Sequence, residues 1–488
     1  MKNPVRGIIF SGFQPEMGPH MGSIQPPFIM PAAGAYRLRT YLSMHGYDIE
    51  VIDYMCMFTT DELIKLVKDR YTDDMWFVGF SVTFDQRSNV ILWRQLRALY
   101  PKLKIIVGAP EPRKETFILN EEAAKNIDML FYGHAENSLL EYCKFLSGER
   151  PDWPSSRTDN GLEYVISDDR FPYKEYSDMS IQWMPDDPVK FVRAVPMEIS
   201  RGCIFKCKFC RFPMIGKKKY DYVRSVDNMA GEFRRNWEMF GIRSYLFADD
   251  TLNDTNQKLD DIAEAIRLAD VDVTFSAHIR YDLLWSNPEM IDKLCDLGMH
   301  TAVLGIESFY EPARKAVGKG LTNDQIIHIL GRFKKAKHDL FINNNFIIGL
   351  PGESVEHIYK TAEWLDQQDH AYIDGWHWNP LSINKQEHLT SEFERHPEEH
   401  GYTVNEDQYY WHSKDMDSIK AKSMAVELNA NRDRTSRLYS FINTDLLAMG
   451  FDITDPIFRL PVDQKDYCGR PLEIINAYKQ LKLQSLPL

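Results

Sequence analysis

At 488 residues the chain is long enough for two or three domains. A net charge of −13 offers no support for a nucleic-acid partner, because nucleic-acid binders usually carry a basic face. The composition, 44% hydrophobic and 26% charged, is that of a soluble globular protein, and no run of about 18 apolar residues predicts a membrane helix or a membrane partner.

The first residues, Met1 to Arg6, lead into a strand without a secretory h-region, so the expected location is cytoplasmic. Strands are predicted at Gly7–Ser11, Asp48–Tyr54, Trp76–Thr83, Leu103–Val107 and Ile127–Phe131. Helices are predicted at Pro31–Gly46, Thr60–Arg70, Gln86–Tyr100 and Glu136–Leu146. Short apolar strands separated by helices pair in parallel with both faces covered. The expected fold for residues 1–147 is a doubly wound, flavodoxin-like (Rossmann-type) domain. Ligands of such sheets lie at the carboxyl ends of the strands, here the loops at 12–25, 81–85, 108–113 and 133–137.

Residues 148–193 change character. Ser155-Ser156-Arg157-Thr158-Asp159-Asn160-Gly161 and several prolines predict an irregular linker. Alternation resumes in residues 194–383. Strands are expected at Val195–Ser200, Ser244–Ala248, Val273–Ala277, Thr301–Ile306, Asn343–Ile348 and Ile373–Asn379. Helices are expected at Val226–Met239, Asn256–Ala269, Pro288–Leu297, Thr322–Lys337 and Val355–Gln368. In the fourth helix Ile326, Ile329, Leu330 and Phe333 keep the spacing of one apolar face. Residues 384–488 predict a mostly helical region, with a long helical stretch around Met416–Met449, that closes over substrate.

The chemistry concentrates at Cys203-Ile204-Phe205-Lys206-Cys207-Lys208-Phe209-Cys210. Three of seven cysteines fall within eight residues, after a short strand and the loop-opening Arg201-Gly202. Three thiolates on one loop suit a single soft centre such as an iron–sulfur cluster. A closed zinc site would want four ligands. The other cysteines, Cys56, Cys143, Cys295 and Cys468, are scattered and are expected as thiols. Lys217-Lys218-Lys219 reads as a solvated loop or a local basic patch.

The Cys-x3-Cys-x2-Cys spacing resembles the radical S-adenosylmethionine (SAM) superfamily. The resemblance implies a partial (βα)6 barrel in which Cys203, Cys207 and Cys210 hold a [4Fe–4S] cluster. SAM would bind the open iron and be cleaved reductively to a 5′-deoxyadenosyl radical. Phe209, before the third cysteine, is then placed near the adenine. Asp249 or Asp250, ending the second barrel strand, takes the SAM ammonium, with an Asx turn or helix cap as the alternative. Ser276 and Arg280 end the third strand, and Arg280 is placed to pair with the SAM carboxylate unless it forms a surface ion pair. His278 is a contact for SAM or substrate, or structural. Glu307 resembles an acid near SAM. In Gly349-Leu350-Pro351-Gly352-Glu353-Ser354 the glycines permit close approach of a ligand, and Glu353 either joins the site or caps the next helix with Ser354. Trp376 and Trp378 either line the pocket or pack the barrel.

A flavodoxin-like domain ahead of this core resembles the cobalamin-binding members of the superfamily. Ser81 and Gly108 match parts of their Ser-x-Leu and Gly-Gly elements, and Glu136 resembles the acid that ends their domain. Gly18-Pro19-His20-Met21-Gly22 departs from Asp-x-His-x-x-Gly, so His20 is not expected on cobalt. The implied enzyme is a cobalamin-dependent methyltransferase at an unactivated carbon. The alternative is a radical SAM cyclase, rearrangement or oxidative enzyme with a vestigial domain. A methylthiotransferase would need three more cysteines near the N-terminus, and a non-catalytic metal-binding regulator would need a fourth at the loop. A small molecule or peptide is the expected substrate, and a flavodoxin or ferredoxin the expected reductant.

Overall fold

A computed structural model describes residues 5–12, 29–81, 89–109, 125–157, 161–167, 179–211, 217–337, 339–368, 371–383, 391–405, 410–430, 446–451, 455 and 470–484. The chain divides into two compact units, one within Met1–Glu16, Pro27–Val192 and Gly469–Leu488, the other within Arg193–Cys468.

In the first unit β1 (Val5–Phe10), β2 (Asp48–Ile52), β3 (Phe77–Ser81), β4 (Lys104–Ala109) and β5 (Met129–Tyr132) are parallel. A hairpin of β6 (Ser156–Arg157) and β7 (Glu163–Ile166) extends the sheet, giving the order β2-β1-β3-β4-β5-β7-β6. The hairpin lies where an irregular linker was expected. The first five strands have the flavodoxin order, whose switch point falls between β1 and β3. Apolar runs such as Ile8-Ile9-Phe10 and Phe77-Val78 are buried because helices cover both faces. The helix Thr60–Arg70 starts at a capping box between Thr59 and Glu62, and it buries Leu63, Leu66 and Val67.

A C-terminal helix, Arg470–Gln484, lies in the predicted helical tail but belongs to this unit, which the expected closing role did not anticipate. Its Tyr478 hydroxyl accepts the Asp53 N–H at 2.9 Å. Its buried Lys482 ammonium lies 2.7 Å from Asp186 and 3.3 Å from Glu50.

The second unit holds a parallel sheet of β8 (Ala194–Met197), β9 (Ser244–Phe247), β10 (Thr274–Ile279), β11 (Met299–Glu307), β12 (Phe341–Ile348) and β13 (Gly375–Pro380). Spatial order follows sequence order, so each crossover adds a strand on the same side, as in a partial barrel. Helices lie at Val226–Phe240, Asn256–Ala269, Glu289–Asp296, Asn323–Ala336 and Val355–Gln367, close to their expected bounds. Two short ones, Tyr281–Ser286 and Glu311–Ala316, were not anticipated. In the tail, helix covers Ser418–Ala430. The rest of the predicted stretch up to residue 445 lies outside the described residues.

Strand alternation divides the sheet into two faces. Tyr245 and Phe247 lie 5.1 and 6.3 Å from Phe233 of the helix Val226–Phe240, and Phe346 stacks on Trp378 at 4.7 Å. These residues form the helix-covered face. The other face carries Ser276, His278, Gly305, Asn345, His377 and Asn379 and forms the barrel wall. Trp376 and Trp378 are 0% and 2% exposed, so they pack the barrel and do not line its interior. No helix among the described residues is long and apolar enough to cross a membrane.

Candidate active site

The cysteine loop starts one turn beyond β8, and a carboxylate from the end of β9 fixes that turn. Asp249, 1% exposed, accepts the N–H groups of Ile199 (2.8 Å) and Ser200 (3.2 Å) and the Ser200 hydroxyl (2.5 Å). The fully buried Lys258 ammonium sits 2.9 Å from the same carboxylate and donates to the Thr251 carbonyl at 2.8 Å. Asp249 is therefore committed to the backbone and to Lys258, which corrects the expectation that it might take the SAM ammonium. Asp250, half-buried, is the remaining carboxylate at this strand end. Gly202 follows at φ +103°, a conformation that favours glycine. The loop's far side is held by an ion pair of Arg211 with the fully buried Glu394 at 2.5 Å.

All three thiols are half-buried. The Cys203 sulfur accepts from the Phe205 N–H at 3.5 Å and lies 3.3 Å from the Thr251 hydroxyl. Burial pushes this thiol up, and those two donors act in the opposite direction. The Cys207 sulfur accepts from Arg280 Nη1 at 3.1 Å. No group of three His, Cys, Asp or Glu side chains among the described residues is already arranged as a metal site. The fit to a cluster rests on the donor set: three thiols on one loop, two of them with hydrogen-bond donors to sulfur, as soft thiolate-bound metals are held.

Arg280 stands at the end of β10 as expected, but its fork is taken. Nε and Nη2 donate to Asp282 at 2.7 and 2.8 Å, and the guanidinium lies 3.6 Å over the Phe205 ring. The structure thus ties Arg280 to the cysteine loop. Ser276 is fully buried, one layer beneath His278 on the same wall. His278 is pushed down to about 4, first by burial and then by the Lys319 ammonium, so its ring is neutral at pH 7.

Glu307 pairs with Lys319 at 2.6 Å, and Lys319 also donates to the Gly305 carbonyl at 2.6 Å. A bulge after Gly305 and a φ of +66° at Glu307 turn the carboxylate in. A Cβ on Gly305 would lie 2.5 Å from that carboxylate, so the glycine makes room for the pair. Lys319 lies 5.8 Å from the Phe209 ring centroid. Sequence reasoning missed Lys319; its signal was a lysine between two glycines, Gly318 and Gly320.

In the turn after β12, Glu353 is buried against the Ser308 hydroxyl, and burial pushes it up to about 8. Ser354 caps the next helix with His357. Gly349, at φ +102°, faces the Trp411 ring, which a Cβ would meet at 2.5 Å. That glycine serves packing against the tail and leaves no room there for a ligand.

In the first unit, Ser81 and Gly108 occupy the carboxyl ends of β3 and β4. Ser11, just after β1, is 1% exposed, and among the described residues its hydroxyl has no partner. An orphaned hydroxyl at the switch point suits a bound ligand there. Glu136 is buried 3.9 Å from Arg37. The loop with His20 lies outside the described residues.

The sequence model of the radical SAM superfamily matches residues 197–365. This chain is a radical SAM enzyme. An uncharacterized methyltransferase of Pyrococcus horikoshii is 29% identical to it over 340 residues, covering 67% of this chain and 71% of the relative. The bacteriochlorophyllide d C-8(2)-methyltransferase of Chlorobaculum tepidum is 23% identical over 269 residues, covering 52% of this chain and 55% of that one. Among solved structures, the cobalamin-dependent radical SAM enzyme OxsB, with aqua-cobalamin and SAM bound, superposes with a TM-score of 0.56 at 18% identity. The match covers 78% of this chain and 54% of OxsB, so the chain spans about half of that protein's length. OxsB shares the fold: a parallel sheet of flavodoxin order and a six-stranded partial barrel. Membership in the radical SAM superfamily implies a [4Fe–4S] cluster and SAM. Here the residues that fit them are Cys203, Cys207 and Cys210 for the cluster, with Phe209, Asp250 and Arg280 beside them.

Proposed function

We propose that this radical SAM enzyme is a cobalamin-dependent methyltransferase acting at an unactivated carbon of a small molecule or peptide. The observation that carries the proposal is the presence, in one chain, of the three-thiol loop at a barrel strand end and, at the switch point of a flavodoxin-order sheet, a buried Ser11 hydroxyl with no partner among the described residues. Relatives named as methyltransferases support it. When bound, the cluster and SAM supply the radical that removes a hydrogen atom, and cobalamin supplies the methyl group.

The chain's own residues do the holding and orienting. Cys203, Cys207 and Cys210 are the thiolate ligands, and Arg280 places a fixed positive charge against Cys207. Asp250 accepts the SAM ammonium. The Glu307–Lys319 pair presents a polar, charge-balanced wall beside Phe209. Ser11, Ser81 and Gly108 line the corrin seat. The reaction runs in the cytoplasm, with a flavodoxin or ferredoxin as reductant.

The test is anaerobic purification with cobalamin supplied, followed by absorption spectra and product analysis. The proposal expects both iron–sulfur and corrin bands, and formation of both 5′-deoxyadenosine and S-adenosylhomocysteine from SAM. Iron–sulfur bands with 5′-deoxyadenosine alone, and no corrin, would instead favour a radical SAM enzyme with a vestigial first domain.

A further inference from the structure

The first unit holds a cavity that none of the residues assigned so far lines. Its volume is about 750 Å³, within the roughly 300–1,000 Å³ of small-molecule sites. It sits at the amino-terminal ends of the strands: Lys104 begins β4, Asp128 precedes β5 and Glu163 begins β7. Ser11, Ser81 and Gly108 stand toward the opposite, carboxyl ends, so this cavity is distinct from the corrin seat.

An aromatic wall closes one side. Tyr142 and Phe145, on the helix Glu136–Ser147, meet Trp153 at ring-centroid distances of 4.9 and 6.5 Å. Phe131 backs Tyr142 and Trp153 at 5.6 and 6.2 Å. Phe145 is 36% exposed and Trp153 half-buried, so the wall still offers ring surface. Tyr142 is 3% exposed, yet its hydroxyl has no hydrogen-bond partner among the described residues. Burial, and then the Asp128 and Glu163 carboxylates, keep that hydroxyl protonated, and both carboxylates line the cavity. The half-buried Ser155 hydroxyl, also on the lining, likewise has no partner among the described residues.

The charges beside this wall are not balanced. Asp128 is shared by Lys104, at 3.1 Å, and Arg97, and Glu163 is taken by Arg157. The exposed Lys125, also on the lining, has no carboxylate within ion-pair distance among the described residues. Among these groups four cations stand against two carboxylates, in a chain whose net charge is −13. A cationic ligand would raise the local excess, and an anionic one lowers it.

We propose that this cavity is a ligand site of its own, which takes a flat aromatic molecule carrying one anionic group, such as an aryl carboxylate. Its ring lies against Trp153 and Phe145, offset-stacked or edge-on, as aromatic pairs prefer. The Tyr142 and Ser155 hydroxyls bond its polar edge, and Lys125 receives the anion.

The test titrates 2-naphthoate into the full chain labelled with 15N at tryptophan. The Trp153 indole resonance is identified by its loss in Trp153→Phe. 2-Naphthoate is expected to shift it saturably, and 2-naphthylmethylammonium at equal concentration is not. Decahydro-2-naphthoate, whose rings are puckered, should displace 2-naphthoate only at several-fold higher concentration. Lys125→Glu changes an exposed side chain and should weaken 2-naphthoate roughly fivefold. Tyr142→Phe keeps the ring, removes the hydroxyl and should weaken it by a similar factor. No shift, an equal shift by the ammonium, equal displacement by the saturated acid, or unchanged affinity in either variant would overturn the proposal. The titration needs neither iron nor SAM, so its outcome is separate from that of the functional reading.

Discussion

Strands β8 to β10 and strands β12 and β13 are the two ends of one parallel sheet, and they finish in opposite chemistry. The first group ends in buried charge: Asp249 with Lys258, and Arg280 with Asp282, all tied to the cysteine loop or its entry. The second carries Asn345, His377 and Asn379 on its inner face, and the turn after β12 holds a buried carboxyl, Glu353, pushed up to about 8. The difference teaches how one barrel mouth divides its work. Fixed charges rigidify the end that holds a metal-binding loop and a charged cofactor. The other end is lined instead by amide and imidazole groups, with the raised Glu353 carboxyl in the turn beyond β12.

The largest break in this contrast should come from Asp249. Asp249→Ala takes from the fully buried Lys258 ammonium its nearer carboxylate, leaving Asp254 at 3.4 Å, and frees the turn before Cys203. Breaking a buried pair from one side costs about 3–5 kcal/mol. A large fall in melting temperature is expected, and Asp249→Asn, which keeps an acceptor for the Ile199 and Ser200 N–H groups, should lose less than Asp249→Ala. An unchanged melt in Asp249→Ala would show that the charged end is not structural.

Arg280→Ala should fold, because its partners Asp282 and Cys207 are half-buried and can reach water. Losing the guanidinium that joins Asp282 to the Cys207 sulfur and the Phe205 ring loosens the cysteine loop, so SAM affinity should fall about tenfold. Titration of SAM followed by paramagnetic resonance of the reduced cluster reads this. Arg280→Lys should recover little, because an ammonium cannot reproduce the bidentate fork to Asp282.

Glu353 sharpens the second end through pH. Its folded pKa, about 8, lies above its ordinary value, so the folded chain holds on to a proton that the unfolded chain releases earlier. Its contribution is intact below about pH 4.5, declines as pH rises and is lost above about 8. Glu353→Gln keeps the neutral form at every pH. Relative to the native chain, its stability should therefore improve steadily across that window in denaturation curves taken from pH 5 to 9. Parallel curves for the two proteins would show that Glu353 ionises normally.

Most of the fold was legible because the strands are short apolar runs and the helices carry caps, as at Thr59 and Thr322. The hairpin of β6 and β7 was hidden because Ser156–Arg157 is two polar residues long and borrows its order from β5 by way of β7. The helix Arg470–Gln484 agrees with the predicted helical tail, but its place in the first unit was hidden because buried Lys482 reads as a surface residue until Asp186 and Glu50 are seen beside it. The site was legible as motifs, not as roles. Asp249 and Asp250 are adjacent in sequence, and only the reach of Lys258 from the following helix assigns Asp249 to structure. Strand alternation puts Trp376 and Trp378 on one face and His377 and Asn379 on the other. Which face meets the helices depended on packing far away in sequence.

The central claim is that the loop at the charged end binds a cluster through Cys203, Cys207 and Cys210. The most direct measurement is SAM cleavage by anaerobically reconstituted protein, native and Cys207→Ala, with iron content determined on the same samples. The native chain should take up iron and release 5′-deoxyadenosine on reduction. Cys207→Ala, which touches none of the Asp249, Lys258 or Glu394 anchors, should remain folded and lose both. Retained cleavage in folded Cys207→Ala would contradict the account.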